Sequence, residues 1–396
     1  MTAHRRGPIA SAVEIARQFA ADVVAPVAAE LDGRPNAEDC FSWEIVEQGS
    51  RRGLRTLTLT PEFGGAGADS LTTAMVVEEL ARGDMGVSVV FAQNLKLIQA
   101  LQACATEAQR ARFLPALRDD PRYLLAIGIT EPQTSSNYII PHDRPDTRFV
   151  TTAVRKGSGW IVNGMKHFIS NGNRASLYML FAQTDAGKSL VEGSTCFVIE
   201  RNAPGFTIGR VHDKMGERLA NNAELLFKDC FVPDENVLGA VGRGFEVLTT
   251  FFPASNAYAA ASVLGVAGAA YDRSLRWTKD RVQGGRPLIQ HDTIAAELAE
   301  MRMLIDAARA YVHDAAWKAD HRDSGWDPTL GALPKVFAAQ TAWTVVTKAL
   351  ELHGGYGYMR DQGFEKLVRD AAAFSHSDGV NRTLLLKAAQ FIRQGA

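Results

Sequence analysis

The sequence predicts an α+β protein ordered as helices, then strands, then helices. Three observations predict it. Apolar residues recur at helical spacing from residue 9 to about 120, the pattern changes near residue 123 to short alternating or wholly apolar runs, and the helical period returns after Val232-Pro233. With no alternating strand and helix units, this order argues against a doubly wound nucleotide-binding fold. A chain of 396 residues is long enough for two or three packed units. The boundaries expected are 1–122 for an N-terminal helical domain, 123–236 for a central antiparallel β barrel or sandwich, and 237–396 for a C-terminal four-helix bundle.

In the first unit the helical stripe runs through Val13, Ile15, Ala16, Phe19 and Val23, then Met75, Val77, Leu80 and Ala81, then Leu95, Ile98 and Leu101. It is interrupted at Asp32-Gly33-Arg34-Pro35 and at Pro61–Gly67, where Gly and Pro end helices. The middle unit offers strands at Tyr123–Thr130, Phe149–Val154, Trp160–Val162, His167–Ser170, Tyr178–Gln183, Cys196–Glu200 and Leu225–Phe231. Lys156-Gly157-Ser158-Gly159 reads as a hairpin turn, because Gly accepts the positive φ such turns need. The last unit shows four long periodic stretches, Phe245–Arg281, His291–His321, Leu333–His353 and Gln362–Arg393.

Composition narrows the function. Lys and Arg total 43 against 44 Asp and Glu, so no global field favours nucleic acid or an anionic membrane. Charged residues at 22% and a mean hydropathy of -0.09 are those of an ordinary globular protein. Cys40, Cys104, Cys196 and Cys230 lie far apart with no CxxC pair, which suggests buried free thiols. The first two dozen residues read as an amphipathic helix, not a secretory leader, and no run of 18 uncharged apolar residues occurs. A cytoplasmic location is expected.

Searches for familiar phosphate and catalytic motifs return nothing: no GxxxxGK[ST], no GxGxxG between strand and helix, no HExxH and no GxSxG. The nine histidines are too scattered in sequence to suggest metal ligands, so no metal is expected. Three other segments stand out. They are Ile127–Pro132 with Asn163–Gly172; Met215–Arg218 with Phe227–Pro233, Asn236–Gly239 and Gly242–Phe245; and Leu352–Tyr358 with Glu365–Ala371. Together with Pro26–Glu30 and Phe63-Gly64-Gly65, their order and spacing resemble those of the acyl-CoA dehydrogenases over almost the whole chain.

That resemblance implies FAD, an acyl-CoA or related thioester substrate, an electron-transferring flavoprotein as oxidant, and a homo-oligomer, dimer or tetramer. It places Ile129, Thr130, Phe168 and Ser170 against the flavin, with Phe168 where the family usually has Trp, and Ser136 at a cofactor and ligand contact. These positions suit a flat ring that needs a dry wall and hydrogen bonds to its heteroatoms. Read without the resemblance, Thr130 and Ser170 satisfy strand edges and Phe168 is core. The resemblance also implies that Arg281 and the pair Gly354-Gly355 hold the pyrophosphate and adenine of a neighbouring subunit's cofactor. Paired glycines admit close approach of backbone N–H groups to phosphate, although a helix C-cap explains them equally.

The family's base is usually a Glu before a Gly, removing the proton α to the thioester while the β hydrogen goes to flavin N5. Here Asp378 stands there, within Phe374–Asn381, flanked by Ser377 and Gly379. A carboxylate in a desolvated pocket does this chemistry, but Asp is shorter by one methylene, roughly 1.5 Å. Ser255 fills the alternative base position on the first bundle helix, and Asn256 replaces a customary Arg beside it. The turn Gln133–Asn137 also departs from the Gly-rich family form. Asp with that Ser resembles nitroalkane oxidase, although Leu385 stands where that enzyme has an Arg. An oxygen-using oxidase or monooxygenase, and a weakly active flavin-binding partner subunit, are the competing readings. Outside the resemblance, Asp378 reads as an N-cap or loop carboxylate before the last helix. Lys96 interrupts the apolar helix Phe91–Leu101 that lines the acyl pocket in the family; it either meets a polar or carboxylate tail or reaches solvent along its stem. His376 is near enough in sequence to modulate Asp378.

Overall fold

The structure, a computed structural model, describes residues 3–136 and 147–395. The N-terminal periodicity resolves into α1 (Ala3–Phe19), α2 (Ala25–Asp32), α3 (Trp43–Arg51), α4 (Ser70–Gly83), α5 (Met85–Cys104) and α6 (Glu107–Asp119). Side chains satisfy the orphan N–H groups at four of the starts. Ser42 accepts from Ile45, Asp69 from Thr72 and Asp84 from Val87, and Thr106 forms a capping box with Gln109. Helix α5 is buried along most of its length, so any polar side chain on it must find an internal partner.

The central strands are β1 (Leu125–Gly128), β2 (Thr152–Lys156), β3 (Gly159–Ser170), β4 (Leu177–Gln183), β5 (Ser194–Glu200), β6 (Phe206–Val211), β7 (Asn222–Pro233) and β8 (Val237–Leu238), with a one-turn helix α7 (Leu190–Gly193) before β5. They form one sheet ordered β6-β7-β3-β2-β4-β5-β8, with β1 beside β4. Gly157, at φ 58, turns β2 into β3 as the hairpin signal predicts. Most pairings are antiparallel, but β1 and β2 both run parallel to β4, which corrects the wholly antiparallel expectation. β4 is buried from end to end, and a central strand covered on both faces carries no alternation that would reveal its direction.

The C-terminal unit holds α8 (Gly244–Asp280), a short hairpin of β9 (Val282–Gln283) and β10 (Arg286–Pro287), then α9 (Asp292–Asp320), α10 (Leu333–His353), α11 (Gly355–Tyr358), α12 (Phe364–Ala373) and α13 (Asn381–Arg393). The expected single helix Gln362–Arg393 is therefore two, separated by the turn that carries Asp378. Helices α4 and α8 cross so closely that a Cβ on Gly265 would stand 2.2 Å from the Glu78 carbonyl oxygen. One apolar core joins α1, α4 and α5 to α8–α10, and a second joins α5 and α6 to the sheet and the start of α8.

A buried ionic cluster ties the three units together. Lys366 donates to Asp84 and Asp370, each at 2.6 Å, and Asp370 also accepts the Glu217 N–H at 2.7 Å. Nearby, Arg369 pairs with Asp32 at 2.6 Å. The cations are raised by these carboxylates despite desolvation. Cys40, Cys196 and Cys230 are buried free thiols, while Cys104 is half-buried. Among the described residues, no helix is long and apolar enough to cross a membrane.

Candidate active site

A cavity of about 730 Å³ opens where α5, the ends of β1 and β3, the first half of α8 and the α12–α13 turn meet. Five described non-glycine residues have left-handed backbones, and three of them, Phe168, Glu217 and Asp378, line this cavity. Conformations that cost of order 1–3 kcal/mol persist only where the surroundings fix them, so their convergence marks a site.

Asp378 has φ 50 and is followed by Gly379 at φ 98. The turn holding it is clamped by Lys335 of α10, fully buried, whose ammonium donates to the carbonyls of Phe374 (2.7 Å) and Gly379 (2.8 Å) and to Asn381 Oδ1 (2.9 Å). Burial pushes Lys335 down to about 8, with Asp378 acting in the opposite direction. The Val380 N–H donates to Ser136 Oγ at 3.3 Å, joining the turn to the loop after β1. Val380, not Asp378, is the N-cap of α13, so the reading of Asp378 as a cap is withdrawn.

Lys96 does not reach solvent. It is 7% exposed, and its Nζ lies 2.9 Å from Asp378 Oδ1. The cause is its position on the buried face of α5, which points it into the cavity at Asp378 and not out to the surface. The Asp378 side chain is 29% exposed, so it is a half-buried, ion-paired carboxylate and not the fully desolvated one expected. Its Oδ2 has no hydrogen-bond partner among the described residues.

Ile129, Thr130, Ser136, Phe168, Ser170, Ser255, Ser377 and Gly379 all line the same cavity. Phe168 is no core residue: it is 56% exposed, and its ring stands against the rings of His167 and His212. Behind this wall Lys166 and Glu131 form a fully buried pair at 2.6 Å, and Glu131 also accepts from Val150 (2.6 Å) and Thr151 (2.9 Å). Desolvation lowers Lys166 to about 8 against the pull of Glu131. Asn256 departs from expectation. It is buried, does not line the cavity, and donates to the Gly331 carbonyl at 2.6 Å. His376 lines the cavity but is exposed, and Asn137 lies outside the described residues.

Some polar residues of the site escaped the sequence reading. Glu217 is buried in the wall, raised by desolvation and partly offset by Lys214 at 3.2 Å. The histidines are less scattered than their spacing implies: pairing of β3, β7 and β6 brings His167, His212 and Glu224 within 4.8 Å of one another. His212 is lowered by burial and by His167, while His167 Nε2 lies 3.4 Å from Glu224.

Arg281, Gly354 and Gly355 are not at this cavity. They line a second one, of about 650 Å³, at the outer end of α8 and α10. Gly354 ends α10 as its C-cap at φ 55 and ψ -140, and a Cβ on either glycine would meet nothing within 4 Å. The Arg281 guanidinium rests over Trp277 and Tyr356 and has no anionic partner among the described residues. An open, Cβ-free backbone beside an unpaired guanidinium suits a phosphate group.

Helices, sheet and bundle around such a site define a flavoprotein dehydrogenase architecture, and comparison with known proteins identifies the family. Residues 11–120, 126–230 and 242–392 match the N-terminal, middle and C-terminal domains of acyl-CoA dehydrogenase, so this chain belongs to that family. It is 34% identical over 360 residues to the short-chain specific acyl-CoA dehydrogenase of Clostridium acetobutylicum, covering 90% of each chain. With the short-chain specific enzyme of Megasphaera elsdenii it shares 33% over 379 residues, 94% of this chain and 95% of the other. The solved structure of butyryl-CoA dehydrogenase from Megasphaera elsdenii superposes with a TM-score of 0.90 at 31% identity, covering 99% of both chains.

Proposed function

We infer that this chain is an FAD-dependent dehydrogenase of acyl-CoA thioesters, with Asp378 as the group that removes the α proton. The observation that carries the reading is the Asp378 carboxylate on the cavity wall, on a turn whose backbone is held by Lys335 and Ser136, with Oδ1 paired to Lys96 and Oδ2 without a hydrogen-bond partner among the described residues.

The residues present fit the cofactor. Ile129, Thr130, Phe168 and Ser170 offer an aromatic and aliphatic wall with hydroxyl and backbone groups for a flavin ring. Arg281 and Gly354-Gly355 fit a diphosphate, supplied in the family's arrangement by a neighbouring copy of the chain, which makes a dimer or tetramer part of the proposal. When bound, FAD supplies the acceptor for the β hydrogen and its two electrons as the α,β bond becomes double. The protein's own tasks are to orient the thioester, keep water from the ring with the Phe168 wall, and take the α proton at Asp378. An electron-transferring flavoprotein is the proposed oxidant that returns the enzyme to its starting state.

Anaerobic titration of the holoprotein with a panel of straight-chain acyl-CoAs tests the reading. Loss of the flavin's visible absorbance with at least one of them is expected. No bleaching with any thioester sinks it.

A further inference from the structure

We infer that the cavity is built for an acyl group that itself carries a carboxylate, with Lys96 as the residue that binds it. This rests on the dehydrogenase reading and deepens it by naming the substrate class.

Lys96 is a buried ammonium with three donors, of which one is used among the described residues, toward Asp378. The cavity's other paired cations are better satisfied: Lys214 has Glu217 and Asn222, and Arg369 has Asp32, Glu365 and the Met215 carbonyl. Gln93, three residues before Lys96 and so on the same face of α5, lines the cavity too, and its amide has no protein partner among the described residues. Ser255 adds a hydroxyl to a wall otherwise made there of residues such as Val89 and Ala92. An ammonium, an amide and a hydroxyl lining one cavity are donors a carboxylate can use.

Charge balance points the same way. The resting pair of Lys96 and Asp378 is neutral. When Asp378 takes the α proton, that pair is lost, and a neutral acyl chain leaves Lys96 buried without a counter-ion. A carboxylate on the acyl chain keeps Lys96 paired through the step, so the interaction strengthens as the proton moves, which is where binding accelerates a reaction. Because Lys96 adjoins the base itself, the carboxylate belongs within a few carbons of the thioester, in a short dicarboxylic acyl group of the succinyl or glutaryl size.

The test compares anaerobic flavin reduction of the holoprotein by length-matched pairs, succinyl-CoA with butyryl-CoA and glutaryl-CoA with pentanoyl-CoA. The carboxylate-bearing member of at least one pair is expected to be preferred in kcat/KM. Lys96→Met should cut that preference roughly 30-fold or more, the cost of removing one partner of a buried charge pair. Lys96→Gln, which retains a donor, guards against a folding defect in the first variant. Faster reduction by the neutral partners, with a ratio unmoved by either variant, overturns the inference and leaves the dehydrogenase reading intact. Failure of all four thioesters overturns the inference, and failure of the whole straight-chain panel as well overturns the dehydrogenase reading.

Discussion

The Lys335 ammonium donates to the carbonyl oxygen of Gly379, the residue directly after Asp378, at 2.8 Å. With its bonds to Phe374 and Asn381 it closes the Asp378 turn from both ends. Lys335 touches no part of the main cavity, so it acts through the position of Asp378. Lys335→Met is expected to lower the rate of flavin reduction about 100-fold, the effect of a misplacement near 1 Å, with little change in substrate KM. Stopped-flow reduction and flavin content measured side by side check it. Equal losses in cofactor retention and rate would instead mark a general folding role.

Lys335 also sets a pH dependence whose two readouts move in opposite directions. Burial lowers it from its usual 10.5 to about 8. Between these values the unfolded chain holds the proton and the folded chain does not, so this group's contribution to stability rises as pH rises through that window. The deprotonated amine has one donor fewer, so the clamp loosens over the same range. Reduction rate is expected to fall above pH about 8 while the unfolding free energy gains from this group, and the Lys335→Met variant should lose both trends. Parallel decline of rate and stability in the wild type would refute it.

Asp378→Asn removes the proton acceptor while keeping a group able to accept from Lys96. The rate of flavin reduction should drop by about 10² to 10⁴ with the flavin spectrum nearly unchanged, while the melting temperature falls because Lys96 loses its counter-ion. A variant that still bleaches at the wild-type rate would move the base elsewhere.

Glu131 illustrates how a motif residue serves the frame of the site. Its carboxylate neutralises Lys166, whose side chain has no exposure, and accepts from Val150 and Thr151. Glu131→Ala leaves a buried charge without its partner and is expected to destabilise by about 3–5 kcal/mol. The double change Glu131→Leu with Lys166→Met should recover much of that, measured by denaturant unfolding.

The sequence made the fold legible wherever periodicity reports burial. Helix α10 begins and ends where its apolar period does, because Pro334 starts it and Gly354 stops it. The apolar period reads straight across the break between α12 and α13, since Phe374–Val380 contains no proline and apolar residues resume at Leu384; only Asp378-Gly379, read as a cap or loop before the last helix, marks it. The family resemblance named several residues of the cavity wall but none of their partners. Nothing in a helical pattern says that Lys96 faces Asp378 across the chain, or that Lys335, a lysine at the start of an apolar helix, is consumed by three bonds to one turn. His167 and His212 meet only because three strands pair in a particular register, which depends on contacts remote in sequence.

The second cavity yields the last prediction. Arg281 is the guanidinium beside Gly354-Gly355, and its contacts are the faces of Trp277 and Tyr356, which orient it without neutralising it. If it meets a diphosphate carried by an adjoining copy of the chain, removing it weakens cofactor binding without altering the ring's surroundings at Phe168. Arg281→Ala should therefore lower the FAD retained after gel filtration and raise the FAD dissociation constant roughly 10- to 100-fold, the range for a lost charge-assisted contact. Added FAD should restore the wild-type rate of flavin reduction. Gly354→Ala tests the same site by another route, because an L side chain at φ 55 and ψ -140 is strained even in open space. Full FAD occupancy in both variants would show that the diphosphate lies elsewhere.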